Sequence, residues 1–228
     1  MKRQTLFTTF AAAASLIICV DGAFALPAAM SKSAIPASRA FLAEGEAELA
    51  PLAHVKFCIA NADECAGGPA GAGGSVLGAA DAAVLERVNR EVNRRIRPRA
   101  KFASIGEWAI NPSAGDCNDY AVTKRHLLVA LGLPSSALRL AVVRTRWGEG
   151  HLVLIARMQD GDYVLDNLSS RMTRWHETGH SFLKIQSASD ARNWASVEPA
   201  GSVASLVPVA LTSAGGGGGD EDWYLGEP

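Results

Sequence analysis

Residues 115–121 read GDCNDYA, with Cys117 between Asp116 and Asp119. A cysteine does its chemistry as a thiolate, and acidic neighbours disfavour a thiolate, so these flanking charges need an offset. Part of the offset is local. Asp116 suits an N-cap, and CNDYAVTKRHLLVAL carries Tyr120, Ala121, Lys124, Leu127, Leu128 and Leu131 at helical spacing, which puts Cys117 on the first turn of a helix. Unpaired backbone N–H groups and the positive end of the macrodipole favour an anion there. The remainder calls for a cation, and a histidinium is the usual one beside a nucleophilic cysteine.

Five histidines are available, at positions 54, 126, 151, 176 and 180. His126 lies on the same helix about 13 Å further along its axis, out of reach of the thiol. His151 opens the apolar run HLVLIARM directly after the glycine-flanked turn WGEG, so it can project from a sheet end towards a helix tip. Asp166 sits inside YVLDNL, where a charge is costly without a partner. Hairpin register decides whether the two meet. A two-residue Asp160-Gly161 turn pairs His151 with Ser170 and leaves Asp166 about 13 Å away along the strand. A four-residue loop, Met158–Gly161, brings His151 opposite Leu168 with Asp166 as its diagonal neighbour. An odd loop puts the acid on the other face. The pair therefore demands an even loop longer than the shortest one.

With that register the expected roles are those of a thiol hydrolase. Cys117 is the nucleophile, His151 the base that later protonates the leaving amine, and Asp166 the group that orients the imidazole. The Cys117 backbone N–H and a second donor would hold the oxyanion; Trp108, in GEWAINPSAGDC, is either a cleft-lining residue with an indole N–H to offer or a core tryptophan. The same acyl-enzyme could be resolved by an amine, giving transglutamination or deamidation. A zinc metallopeptidase is the rival chemistry, because His176-Glu177-Thr178-Gly179-His180 is a literal HExxH. Its flanks lack an amphipathic helical run and Gly179 interrupts the would-be turn. A binding module without catalysis is a further alternative.

The elements that must position these groups read as α+β. DAAVLERVNREVNRRIRP (81–98) is a helix capped by Asp81, with Val84, Leu85, Val88, Val92 and Ile96 on one face and Pro98 as its stop. The Cys117 helix ends at Gly132 and Pro134. Then the period changes to two, and LRLAVVRT (138–145), HLVLIARM (151–158) and YVLDNL (163–168) read as antiparallel strands. Residues 81–190 form the expected catalytic core. Residues 26–80 precede it, ending in the glycine-rich connector 66–80, which lacks the lysine of a phosphate loop; 191–228 is a tail, low in complexity and expected to be disordered over 214–228.

The 228 residues carry 22 basic and 23 acidic side chains, which gives no electrostatic reason to expect nucleic acid or an anionic membrane as partner. MKR followed by LFTTFAAAASLIICV and AFA reads as a signal peptide over 1–25, making Leu26 the first mature residue and the destination a periplasm or beyond. Cys19 leaves with it. Cys58 and Cys65 can close a small loop in an oxidising compartment, and Cys117 is then the leftover thiol.

GDCNDYA, GHLVL and VLDNL, in that order, resemble the bacterial transglutaminase-like cysteine peptidases, the family containing the LapG-type periplasmic proteases. FCIANADEC and RWHETGHSFLKIQS are similar to stretches of that family, so the resemblance covers roughly residues 50–190. It implies a papain/transglutaminase-like fold, with the nucleophile's helix packed on an antiparallel sheet, and carries over Cys117, His151 and Asp166 as the triad. It also implies cleavage of large surface adhesins to disperse biofilm, an inner-membrane receptor as regulatory partner, and calcium held by the acids around the cysteine. Here those positions are Asp116, Asn118 and Asp119, with Asn118 standing where the family pattern has glutamate.

Overall fold

The computed structural model describes residues 40–66, 74–99 and 107–198; the readings of a signal peptide, of most of the glycine-rich connector and of the far C-terminal tail lie outside the described residues. None of the helices described is long and apolar enough to cross a membrane.

Alternating apolar residues build one antiparallel sheet. Its strands are β1 (Glu44–Glu48), β4 (Leu138–Arg144), β5 (Gly150–Met158), β6 (Gly161–Leu165), β7 (Thr173–Arg174), β8 (Ser181–Gln186) and β9 (Trp194–Val197). They lie in the order β1-β9-β8-β4-β5-β6-β7, and every pairing is antiparallel. The helices are α1 (Leu52–Ala60), α2 (Ala82–Arg95) and α3 (Cys117–Ala130). The period of two is visible in the packing. Leu138, Leu140, Leu152, Leu154 and Ala156 turn to one buried cluster shared with the helices. Ala141, Val143, Val153 and Ile155 turn to the other face, with Val164, Ile185 and Leu42. Each of the leucine, isoleucine and valine side chains contributes about 1.5–3 kcal/mol when fully buried.

The sheet extends beyond the span 81–190, because β1 and β9 form its far edge. Arg139, buried in β4, ties that edge in: its guanidinium lies 2.9 Å from Glu44 and 3.5 Å from Asp162. The backbone N–H of Leu42 donates to Asp162 at 2.7 Å.

Two boundaries differ from the sequence expectation. The helix read over 81–98 is α2, ending at Arg95, because Ile96 turns to extended geometry. The freed segment forms a two-residue strand, β2 (Arg97–Pro98), parallel to β3 (Ala114–Gly115). That pairing fixes the backbone immediately before α3 and so places the helix tip. The second difference is the hairpin. Met158 pairs with Gly161, so the turn centres on Gln159 and Asp160, not on Asp160 and Gly161. The glycine is needed at the strand's first position: it sits at φ 141°, and a Cβ there would lie 2.7 Å from the Ala40 carbonyl oxygen. The register is the one drawn above for the four-residue loop, closed by one further pair. Leu154 opposes Leu165, which sets Asp166 level with Val153 and diagonal to His151.

Candidate active site

Three separate elements converge at the tip of α3. Asp116 caps the helix, accepting the Asn118 N–H on Oδ1 at 3.0 Å, while the Asp119 carboxylate accepts the Asp116 N–H at 3.0 Å, completing a reciprocal capping box. Asp119 is fully buried, and its other oxygen accepts the Ala109 N–H at 2.8 Å. The acids beside the cysteine thus organise the helix start. Gly115 makes room for them, since a Cβ there would lie 2.1 Å from Asp119 Oδ2 and 2.8 Å from Asp119 Cβ. Gly115→Ala is expected to destabilise the fold by on the order of 1–3 kcal/mol, as an overpacked site does. A thermal melt would read this as a lower midpoint; an unchanged midpoint would mean that the cap yields without cost.

Among the described residues Cys117 is the free cysteine, half-buried on the first turn. Its thiol lies beside the His151 imidazole, close enough to bias that ring's proton. His151 Nε2 in turn lies 2.8 Å from Asp166 Oδ1, leaving Nδ1 for the sulfur. Asp166 stands one residue past the end of β6, not inside the strand, and turns back to accept the Leu168 N–H at 3.0 Å. Burial opposes charging the His151 ring. The hydrogen bonds to Asp166 and Cys117, and their negative charge, outweigh it and raise the imidazole to about 9. Burial would likewise raise Asp166, but the His151 bond and charge, helped by the Leu168 N–H and His180, hold its carboxyl well below the usual range. The arrangement holds a proton on the imidazole, between the Asp166 carboxylate and the Cys117 side chain.

Several contributors were not singled out from sequence. His180 Nε2 lies 3.0 Å from Asp166 Oδ2, so each carboxylate oxygen meets one imidazole. Asn93 on α2 donates to the Asp166 carbonyl at 2.9 Å and to the Ser169 carbonyl at 2.9 Å. Asn89 adds a bond to Ser169 at 3.1 Å. These amides clamp the loop that presents the acid; the signal in sequence was two asparagines four apart on an otherwise apolar face. Lys124 is fully buried on α3, with no hydrogen-bond partner for Nζ among the described residues. Burial lowers it to about 7, opposed by attraction to Asp166.

Other expected residues fall elsewhere. Trp108 packs in the core, tilted against His54 at 5.5 Å and Phe57 at 6.0 Å between ring centres, so its observed place is not the cleft wall. Cys58 and Cys65 are joined in a disulfide beside His54. The HETGH stretch is a short 3-10 turn, Trp175–Glu177, followed by Gly179 at φ 72°, so the helical arrangement required of a zinc peptidase does not form.

Residues 44–202 match the family model of the bacterial transglutaminase-like cysteine proteinases, and the chain belongs to that family. That family is one of transglutaminase-like cysteine proteinases, and the fold here is α+β with antiparallel strands. Among solved structures, calcium-bound LapG of Legionella pneumophila is 24% identical, with TM-score 0.40, over 44% of this chain and 62% of that one. Two further structures of the same protein, one of them EGTA-treated, match at 24% identity and TM-score 0.39 over 44% of this chain and 60% of theirs. The match thus spans about three-fifths of the LapG chains. No curated protein matches significantly.

Proposed function

We propose that the chain is an exported thiol endopeptidase acting through Cys117, His151 and Asp166 on a protein substrate in the periplasm or at the cell surface. The observation that carries this reading is the single imidazole held by the Asp166 carboxylate at 2.8 Å with the Cys117 thiol beside it. The thiolate attacks the scissile carbonyl, forming a C–S bond and a tetrahedral oxyanion. The Cys117 backbone N–H, unpaired at the helix tip, stabilises that charge. Collapse breaks the C–N bond as His151 gives its proton to the departing amine. His151 then takes a proton from water, which attacks the thioester and frees the enzyme. Asp166 holds the ring so that Nδ1 faces the sulfur throughout, and the Asn89 and Asn93 clamp holds Asp166.

Family membership supports a large surface adhesin as the substrate and an inner-membrane receptor as regulatory partner. Comparing released surface proteins after adding active or Cys117→Ser enzyme tests this, with N-terminal sequencing of the fragments. A discrete fragment seen only with active enzyme is the expected result; identical profiles would contradict the peptidase reading. A fluorescent primary amine included in the reaction separates the transglutaminase alternative, which would label the substrate covalently.

Calcium enters through the calcium-bound relative. Asp116 and Asn118, half-buried on the first turn, each keep an oxygen free of bonds to the described residues, whereas both Asp119 oxygens already accept backbone N–H groups. Asp116 and Asn118 can therefore join a calcium shell completed by water, since calcium takes 6–8 oxygens. An ion held there would offset the negative charge beside the sulfur. Because the cap closes on its own bonds, removing calcium with EGTA should slow peptide cleavage several-fold without abolishing it. Complete loss, restored by calcium, would make the ion part of the folded site.

A further inference from the structure

The proposed peptidase chemistry uses one imidazole on Asp166, yet the carboxylate carries two. His151 Nε2 lies 2.8 Å from one oxygen and His180 Nε2 lies 3.0 Å from the other. All three ligand atoms lie within 4.8 Å of one another, and the three side chains are only 7–8% exposed. His180 arrives from a different segment, the turn before β8, so the cluster joins three parts of the chain. A cavity of about 230 Å³, lined by Asp166 and His180 together with Arg146, Trp147, Arg171 and Glu177, opens onto it. It offers a route for a small ion and room for water.

We infer that His151, His180 and Asp166 form a reversible site for a divalent transition metal of the zinc class, whose occupancy silences the peptidase. Two imidazole nitrogens and one carboxylate oxygen are a borderline-soft set with a position left for water, which suits zinc. Zinc bonds of about 2.0–2.1 Å set ligand atoms roughly 3.3 Å apart in a tetrahedron. The present spacings, at most 4.8 Å, reach that by shifts of about 1.5 Å or less. The ion takes the Nε2 lone pair of each ring, so the protons on those nitrogens must leave or move. On His151 the remaining proton sits on Nδ1, the nitrogen facing Cys117. A ring with its proton there and its other nitrogen on a metal can neither accept the thiol proton nor orient through Asp166. The thiol itself, on the Nδ1 side, is not a ligand.

The site is built to be labile. Metal-bound histidines usually donate their second ring N–H to an acceptor. His180 Nδ1 is buried and has no hydrogen-bond partner among the described residues, so binding at Nε2 leaves that N–H unsatisfied. This lowers affinity and keeps the ion exchangeable.

Silencing rests on His151 being the base; metal binding does not, and the two can be separated. The binding measurement uses the Cys117→Ala protein, which has no free thiol to ligate metal. Titration with zinc chloride should show one ion per chain, and cobalt should give the visible absorption of a low-coordinate complex. His180→Gln in that background should weaken binding at least tenfold, while His126→Ala, in the separate, part-buried His126–Glu64 pair, should leave it unchanged. In the wild-type enzyme zinc should inhibit over the same concentration range, with recovery on chelation. Absence of stoichiometric binding to Cys117→Ala overturns the site, as does undiminished affinity in correctly folded His180→Gln. Stoichiometric binding with undiminished turnover overturns the silencing and counts against His151 as the base.

Discussion

Replacing Cys117 with alanine is expected to lower peptide cleavage by a factor of about 10⁴ or more while leaving the fold in place. Removing the nucleophile of a triad costs nearly as much as removing the whole constellation, because the partners then have nothing to activate. The remaining oxyanion donors and binding contacts sustain only a small residue of catalysis. Stability should survive, because Cys117 is half-buried on the first turn and the bonds that define that turn belong to Asp116 and Asp119. Progress curves with a fluorogenic substrate, run beside a thermal melt, check both halves. Cleavage at the wild-type rate by a folded Cys117→Ala protein would remove the thiol from the mechanism.

The second large effect is expected at Asp166. Its carboxylate accepts from His151 at 2.8 Å, from His180 at 3.0 Å and from the Leu168 N–H at 3.0 Å. Asparagine keeps the shape but turns one oxygen into a donor, which must face one of the two ring nitrogens. The oxygen on His151 also accepts the Leu168 N–H, so the amide nitrogen turns to His180 and His151 keeps an acceptor but loses the negative charge that supports its imidazolium. The loss should be on the order of 10²–10⁴ in kcat. The pH profile should change with it. In the wild type, His151 is raised to about 9, so activity should fall as pH rises through that value and the ring loses its proton. Without the carboxylate this limb should move to lower pH. Stability follows the same linkage. The folded pKa lies above the unfolded value of about 6.5, so the stabilisation is complete below roughly pH 6.5 and lost as pH climbs through 9. Asp166→Asn with an unshifted limb and near-normal kcat would show that the acid does not act through His151.

The site was legible where short-range rules govern it. Asp116 before Cys117 announces a capped helix, and the cap is there with its reciprocal partner. The parity of the β5–β6 hairpin determined that His151 and Asp166 share a face, and the observed register has them as diagonal neighbours. Long-range terms were harder to read. His180 was hidden in HETGH, a pattern whose familiar meaning requires a helix, whereas Gly179 at φ 72° turns the chain so that the second histidine reaches Asp166. Lys124 was counted on a helical face without any sign that it would be fully buried, because nothing local tells a solvated lysine from one buried within the field of Asp166. The β1 segment, EGEAE, offers no apolar alternation; it is an edge strand held by pairing with β9 and by Arg139. The turn closes one pair tighter than the four-residue loop, with Gly161 as the strand's first residue beside the Ala40 carbonyl, a contact between residues 121 positions apart.

The central claim is that Cys117 carries the reaction, and alkylation tests it most directly. Among the described residues Cys117 is the free cysteine, the other two being joined in the disulfide. Iodoacetamide at one equivalent, followed by peptide mapping, should place a single adduct on Cys117, with activity falling in proportion to the fraction modified and prior substrate slowing both. Full modification of Cys117 with activity retained would contradict the account.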